Sequence, residues 1–198
     1  MNSEVFDVIK SFESCTLCPR KCKVNRLAKE MGACHADAQM RAARAALHFW
    51  EEPCISGQEG SGAVFFSGCA LGCVFCQNTD ISRGQEGEVI SIDRLAQICL
   101  NLQAQGANNI NLVTAGHYVP AVAESLRRAK ARGLTIPVVY NSSGYETPHT
   151  LQLLEGLVDI YLPDMKYMDT QLAKQYSHAE DYPDVAKEAL AEMVRQCP

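Results

Sequence analysis

The chain is expected to adopt an α/β fold built on a parallel sheet. Three observations predict this. Four short apolar runs, at 63–67, 109–114, 137–140 and 158–162, read as strands. They are continuous rather than alternating, as in a parallel sheet covered by helices. Each is followed by a loop and a stretch that reads as helix, at 90–105, 119–132, 147–155 and 182–196. Gly106, Gly133 and Gly156 stand just past three of these helices, where a left-handed residue ends a helix at little cost. Repeated strand–loop–helix units build open parallel sheets or barrels.

The elements follow in order. Val5, Phe6, Ile9 and Phe12 have helical spacing, which predicts a helix over 3–13. A cysteine-rich loop runs from Cys15 to Cys34. The Ala-rich stretch 39–50 favours helix by propensity, with an edge strand as the alternative. Residues 54–62 are rich in Gly and Ser and read as a linker, so the division is placed at 1–60, a cysteine-rich extension, and 61–198, the α/β unit. Ser91 is the expected N-cap of the 90–105 helix. A four-strand parallel sheet whose chain stops on a helix looks unfinished. Either the sequence is a fragment or another element closes the open edge.

An apolar fraction of 47% supports a globular core. Residues 1–50 carry eight basic and five acidic side chains, or +3, and residues 51–198 carry ten and eighteen, or −8. An acidic main body argues against general nucleic-acid binding. The first residues include acids and no long apolar run, so no secretory signal is expected there. No apolar stretch is long enough for a bilayer, so no membrane partner is expected. The ten cysteines are therefore assigned to a reducing cytoplasm, where clustered thiols hold metal more readily than they form disulfides.

Cys69, Cys73 and Cys76 form a C-x3-C-x2-C run in Ser67-Gly-Cys-Ala-Leu-Gly-Cys-Val-Phe-Cys-Gln-Asn78, directly after the first strand of the series. Structural zinc usually takes four ligands in two separated pairs. Three closely spaced thiols suit an iron–sulfur cube with one iron left for another ligand. The loop after a parallel strand is also where α/β proteins bind ligands. Gly68 and Gly72 let the backbone curl there, and the Phe75 ring could pack beside a cluster. Zinc, or a purely electron-transferring cluster, is the alternative occupant.

This C-x3-C-x-aromatic-C loop resembles the radical S-adenosylmethionine enzymes. With the upstream cysteines and His48-Phe-Trp-Glu-Glu-Pro-Cys-Ile-Ser56, the chain is similar over nearly its whole length to relatives of the pyruvate formate-lyase activating enzyme. The resemblance implies a partial (βα)6 barrel, here about four units long. It implies a [4Fe-4S] cluster on Cys69, Cys73 and Cys76, and S-adenosylmethionine on the fourth iron. Reductive cleavage would give a 5′-deoxyadenosyl radical for hydrogen abstraction. Phe75 matches the aromatic position beside adenine, and Asn78 an Asn near the cofactor. Gly116 stands where the family often has two glycines. Asn141 and Ser142 resemble a segment that touches the cofactor, although Asn141 replaces an acid. Asp164 and Lys166 match charges that suit the zwitterionic head of S-adenosylmethionine. An electron donor such as flavodoxin or ferredoxin, and a glycyl radical enzyme as target, are the implied partners. A radical enzyme acting on another substrate, and a non-catalytic electron carrier or scaffold, are the rival readings.

Four more cysteines, Cys15, Cys18, Cys22 and Cys34, could close a zinc site or hold a second iron–sulfur cluster. Lys21, Lys23, Arg26 and Lys29 surround them, either offsetting thiolate charge or docking an acidic partner. Cys99 falls in a helix and reads as core, while Cys54 is a candidate extra ligand. His117 is read as a loop histidine with a lesser claim to a catalytic role.

Overall fold

A computed structural model describes residues 10–198. Most of the helix expected over 3–13 lies outside the described residues. One six-stranded sheet organises the rest, in the order β3-β1-β2-β4-β5-β6. The strands are β1 (Arg41–His48), β2 (Ser61–Phe66), β3 (Glu88–Val89), β4 (Ile110–Val113), β5 (Val138–Ser142) and β6 (Ile160–Pro163). β2, β4, β5 and β6 pair in parallel and are the four strands expected from the apolar runs. β1 pairs antiparallel with both β2 and β3. The fold is mixed α/β, consistent with a partial barrel behind a cysteine-rich N-terminal segment.

Helices α1 (Pro53–Ser56), α2 (Thr79–Ser82), α3 (Ile92–Ala104), α4 (Val119–Ala131), α5 (Pro148–Gln152), α6 (Thr170–Ser177) and α7 (Tyr182–Gln196) complete the chain. The Ser91 hydroxyl accepts the Arg94 N–H and caps α3 as expected. One face of the sheet, through Val64, Phe66, Ile110, Leu112, Val138 and Tyr140, is fully buried in the main core with residues of α3, α4 and α7. The opposite face carries Phe65, Asn111, Val113 and Asn141. Cys99 is buried in the main core, as expected.

Two expectations need correction, and one helix was not expected at all. Residues 41–48 form a strand, not the helix that alanine propensity favours. Backbone pairing on both sides, to β2 and β3, outweighs a propensity difference of a few tenths of a kcal/mol per residue. The expected 54–62 linker holds a helical turn at Pro53–Ser56, and β2 begins within it at Ser61. Helix α6 has no counterpart in the sequence reading. Its N-cap Asp169, which accepts the Leu172 N–H, was the available signal.

Candidate active site

The cysteine loop leaves the carboxyl end of β2 and turns back over the sheet. Gly68 makes the first bend with φ +91, and a Cβ there would lie 2.5 Å from the Cys34 carbonyl oxygen. No other residue fits that approach. The Gly68 N–H donates to Ile81 O at 2.8 Å, and the Cys69 N–H to Cys34 O at 3.1 Å. The Cys76 N–H closes a turn on Cys73 O at 3.2 Å. Arg20 clamps the loop from outside. Its guanidinium donates to Ala70 O at 2.9 Å, Leu71 O at 3.1 Å and Ser177 O at 2.7 Å, and also to His178 O. Leu71 packs with Tyr145, Tyr167 and Tyr182 in a second small core, against which Cys69 and Cys73 rest.

Cys69, Cys73 and Cys76 are half-buried and lie within electrostatic reach of one another. Desolvation pushes the Cys69 thiol up to about 11, while N–H donation from Gly72 and Leu71 pulls the other way. Those amides are placed to receive a thiolate. The Tyr167 hydroxyl contacts Cys73. Among the described residues, no three His, Cys, Asp or Glu side chains converge where a single metal ion could be held. Thiolates on different irons of one cube need no such common point.

Cys69, Gly116 and Ser142 line one small cleft, together with Cys18, Thr114 and Glu146. Asp164 is tied to that rim by its N–H to Ser142 O at 2.8 Å. Its carboxylate pairs with Lys166 at the surface. The other expected residues point elsewhere. The Asn141 amide donates to Glu51 Oε2 at 3.1 Å, beside Asn111. Phe75 is half-exposed and meets Tyr167 and Tyr176 edge-on, with ring centroids 6.0 and 6.3 Å away. Asn78 is exposed, and its carbonyl accepts the Ser82 N–H at 2.9 Å. Cys54 is exposed on α1.

His117 is buried, and its Nε2 hydrogen-bonds Ser67 O at 2.8 Å. Burial pushes the imidazole down to about 3, so the neutral ring donates from Nε2. It holds the backbone just ahead of Cys69. Sequence reading missed Glu146, a buried carboxyl whose Oε2 accepts the Ser142 hydroxyl at 3.1 Å. Burial raises it to about 7. It also missed the strained Thr114, a β-branched residue at φ 59 on the cleft wall. The signal that could have found Glu146 is local, since its partners Ser142 and Tyr140 stand four and six residues earlier, whereas Thr114 donates its N–H to Asn141 O on the neighbouring strand. Arg26, read as part of a basic surface, is fully buried. It cannot dock a partner.

Residues 63–197 match the model of the Radical SAM superfamily, and the chain belongs to that superfamily. Membership implies a [4Fe-4S] cluster and S-adenosylmethionine, and the three-thiol loop with its inward amides fits the first of these. The uncharacterized protein MJ0674 of Methanocaldococcus jannaschii is 32% identical over 183 residues, covering 89% of this chain. The chain spans 52% of that relative's length. No solved structure gives a significant match. Among the described residues no helix is long and apolar enough to cross a membrane.

Proposed function

We propose that this protein is a radical S-adenosylmethionine enzyme of the activating-enzyme type, working in the reducing cytoplasm. One observation carries the reading. Three cysteines, in a chain of this superfamily, share a loop at the carboxyl end of a parallel strand, beside a cleft lined by the next two strand ends. When bound, the reduced cluster and S-adenosylmethionine supply a 5′-deoxyadenosyl radical that removes a hydrogen atom.

The chain's own residues bind, orient and shield. Cys69, Cys73 and Cys76 hold three irons. Leu71 and Gly72 amides stabilise the Cys69 thiolate. Phe75, braced by Tyr167 and Tyr176, offers a ring for the adenine. Asn78, Gly116, Asn141 and Ser142 contribute polar contacts, and Asp164 with Lys166 meets the zwitterionic head. Asn141 must release Glu51 to do so. Residues 1–60 act as a cysteine-rich extension on the 61–198 unit, with a second metal site at Cys15, Cys18, Cys22 and Cys34. A flavodoxin or ferredoxin supplies the electron, and the hydrogen comes from a glycine of a glycyl radical enzyme. The similarity of the His48–Ser56 segment and the upstream cysteines to activating-enzyme relatives supports that choice of target.

Anaerobic reconstitution with iron and sulfide, followed by dithionite and S-adenosylmethionine, tests the chemistry. Methionine and 5′-deoxyadenosine should form, and Cys73→Ala should abolish both cluster and cleavage. An intact cluster that releases no 5′-deoxyadenosine sinks the reading. A glycyl radical signal on an added partner enzyme tests the target.

A further inference from the structure

We propose that the outer side of the cysteine loop is a docking site for an acidic redox protein, which delivers its electron past Cys73. This rests on the radical reading and deepens it, by giving the electron donor a place on the chain.

Two hollows adjoin the loop, and they differ in chemistry. The small cleft with Gly116 and Ser142 is lined by Cys69 and holds Glu146. A larger cavity of about 310 Å³ is lined by Cys73 and Val74. Ala70 and Leu71 line both, so the loop is the wall between them. A ligand in the cleft thus leaves the cavity open to a second molecule.

The cavity wall is cationic. Arg20, Arg83, His35 and His178 line it, and among the described residues no Asp or Glu does. This stands out in a chain whose residues 51–198 carry a net −8. Arg20 is fixed there by four carbonyl oxygens, of Ala70, Leu71, Ser177 and His178. These are neutral acceptors, so they hold the guanidinium without cancelling its charge. Arg83 is exposed, and its N–H donates to Thr79 O at 2.9 Å at the end of α2. Gly84 follows at φ +70, and a Cβ there would lie 2.8 Å from His35 O. Glycine lets the turn after Arg83 close on the His35 loop, which brings the two side chains to one wall. Among the described residues neither arginine forms an ion pair. Two positioned cations without a counter-charge attract carboxylates from a partner.

The rim adds an apolar contact. Val74 follows Cys73 directly and is 57% exposed. Its N–H donates to Tyr176 O at 2.9 Å, which ties the loop to α6. Leu172, one turn earlier on α6, is 47% exposed. Val74, Tyr176 and Leu172 thus form an apolar strip that reaches the cavity at Val74. A small patch of mixed character suits redox encounters, which are transient and bury little area.

Cys73 is the reason to choose a redox partner over other acidic proteins. Under the radical reading its thiolate holds an iron, and the same residue lines the cavity. A donor seated there lies about one side chain from the cluster, and electron transfer slows steeply with distance. The donor loses one electron and the cluster gains it, with no bond made or broken.

Reduced flavodoxin, an acidic one-electron donor, tests the site on the anaerobically reconstituted full chain. Bleaching of the cluster, followed before S-adenosylmethionine is added, gives the reduction rate. Calorimetry with oxidised flavodoxin gives the Kd. Arg83→Glu and Leu172→Glu should each slow reduction by flavodoxin and weaken its binding by about tenfold, and added salt should narrow the difference for Arg83→Glu. Reduced methyl viologen, a small cation, should reduce both variants as fast as wild type. Wild-type rates and affinity in both variants overturn the proposal. So does equal slowing with viologen, which puts the damage at the cluster. Binding of inorganic phosphate that Arg83→Glu abolishes, with flavodoxin binding untouched by phosphate, makes the cavity a small-anion site and also overturns it. A chain that takes the flavodoxin electron and never releases 5′-deoxyadenosine loses the enzymatic reading and keeps the docking site.

Discussion

Glu146 and His117 flank the same cleft with pKa values moved in opposite directions, and burial is the main cause of both shifts. The Glu146 carboxyl is raised from 4.5 to about 7. Its folded form therefore keeps a proton that the unfolded chain gives up. Stability is full below the unfolded value and falls as pH climbs toward 7, by about 3 kcal/mol. His117 is lowered to about 3, so the unfolded chain takes up a proton first and stability falls as pH drops from the ordinary histidine value toward 3. The two slopes oppose each other in between, which predicts a plateau at mildly acidic pH. Glu146→Gln should unfold at higher denaturant than wild type at pH 8, by up to about 3 kcal/mol, with the gap closing below pH 4.5. An equal gap at pH 4 and pH 8 would show that the carboxyl is not held neutral.

Among the elements, the cysteine loop depends on a segment some fifty residues earlier in the chain. Arg20 reaches two carbonyls of the loop and two at the end of α6, and its charge lies over the Tyr145 ring at 5.2 Å. Only a planar fork with five donors can serve four acceptors at once. Arg20→Lys keeps the charge and loses the fork. It should cost about 2–3 kcal/mol and speed hydrogen exchange at Leu71 and Val74, while the helices on the far side of the sheet exchange as before. Unchanged exchange at Leu71 would remove Arg20 from this role. The nearby Asp164–Lys166 pair is a weaker element. It is a surface contact, so little stability rests on it, and ligand binding can break it cheaply.

Across the whole molecule, Glu51 ties the end of β1 to the middle of the sheet. Its Oε2 accepts the Asn111 amide at 2.9 Å and the Asn141 amide at 3.1 Å. Asn111 is fully buried, and its carbonyl oxygen has no partner. Removing Glu51 would leave both ends of that amide unsatisfied. Glu51→Ala should therefore destabilise the fold by about 1–3 kcal/mol in chemical denaturation, and adding Asn111→Ala should recover part of the loss. Additive losses in the double variant would show that the two side chains act separately.

The apolar runs and glycine stops were enough to locate β2, β4, β5, β6 and helices α3, α4 and α5 between them, because buried parallel strands and capped helices write their period locally. Helix α7 runs from Tyr182 to Gln196, as its residues predicted. The spacing of Cys69, Cys73 and Cys76 was legible for the same reason, since one short loop carries all three. What only the tertiary structure decided depends on residues far apart in the chain. Residues 41–48 became a strand because two partners pair with them. Arg26 became a buried cation because Phe12, Tyr118 and Asp37 close around it. Glu146 became a neutral acid because the packed fold strips its carboxyl of water, against the pull of the Ser142 and Tyr140 hydroxyls that favour the charged form. Local sequence sets period, caps and ligand spacing. Burial sets charge, and burial is a property of the folded whole.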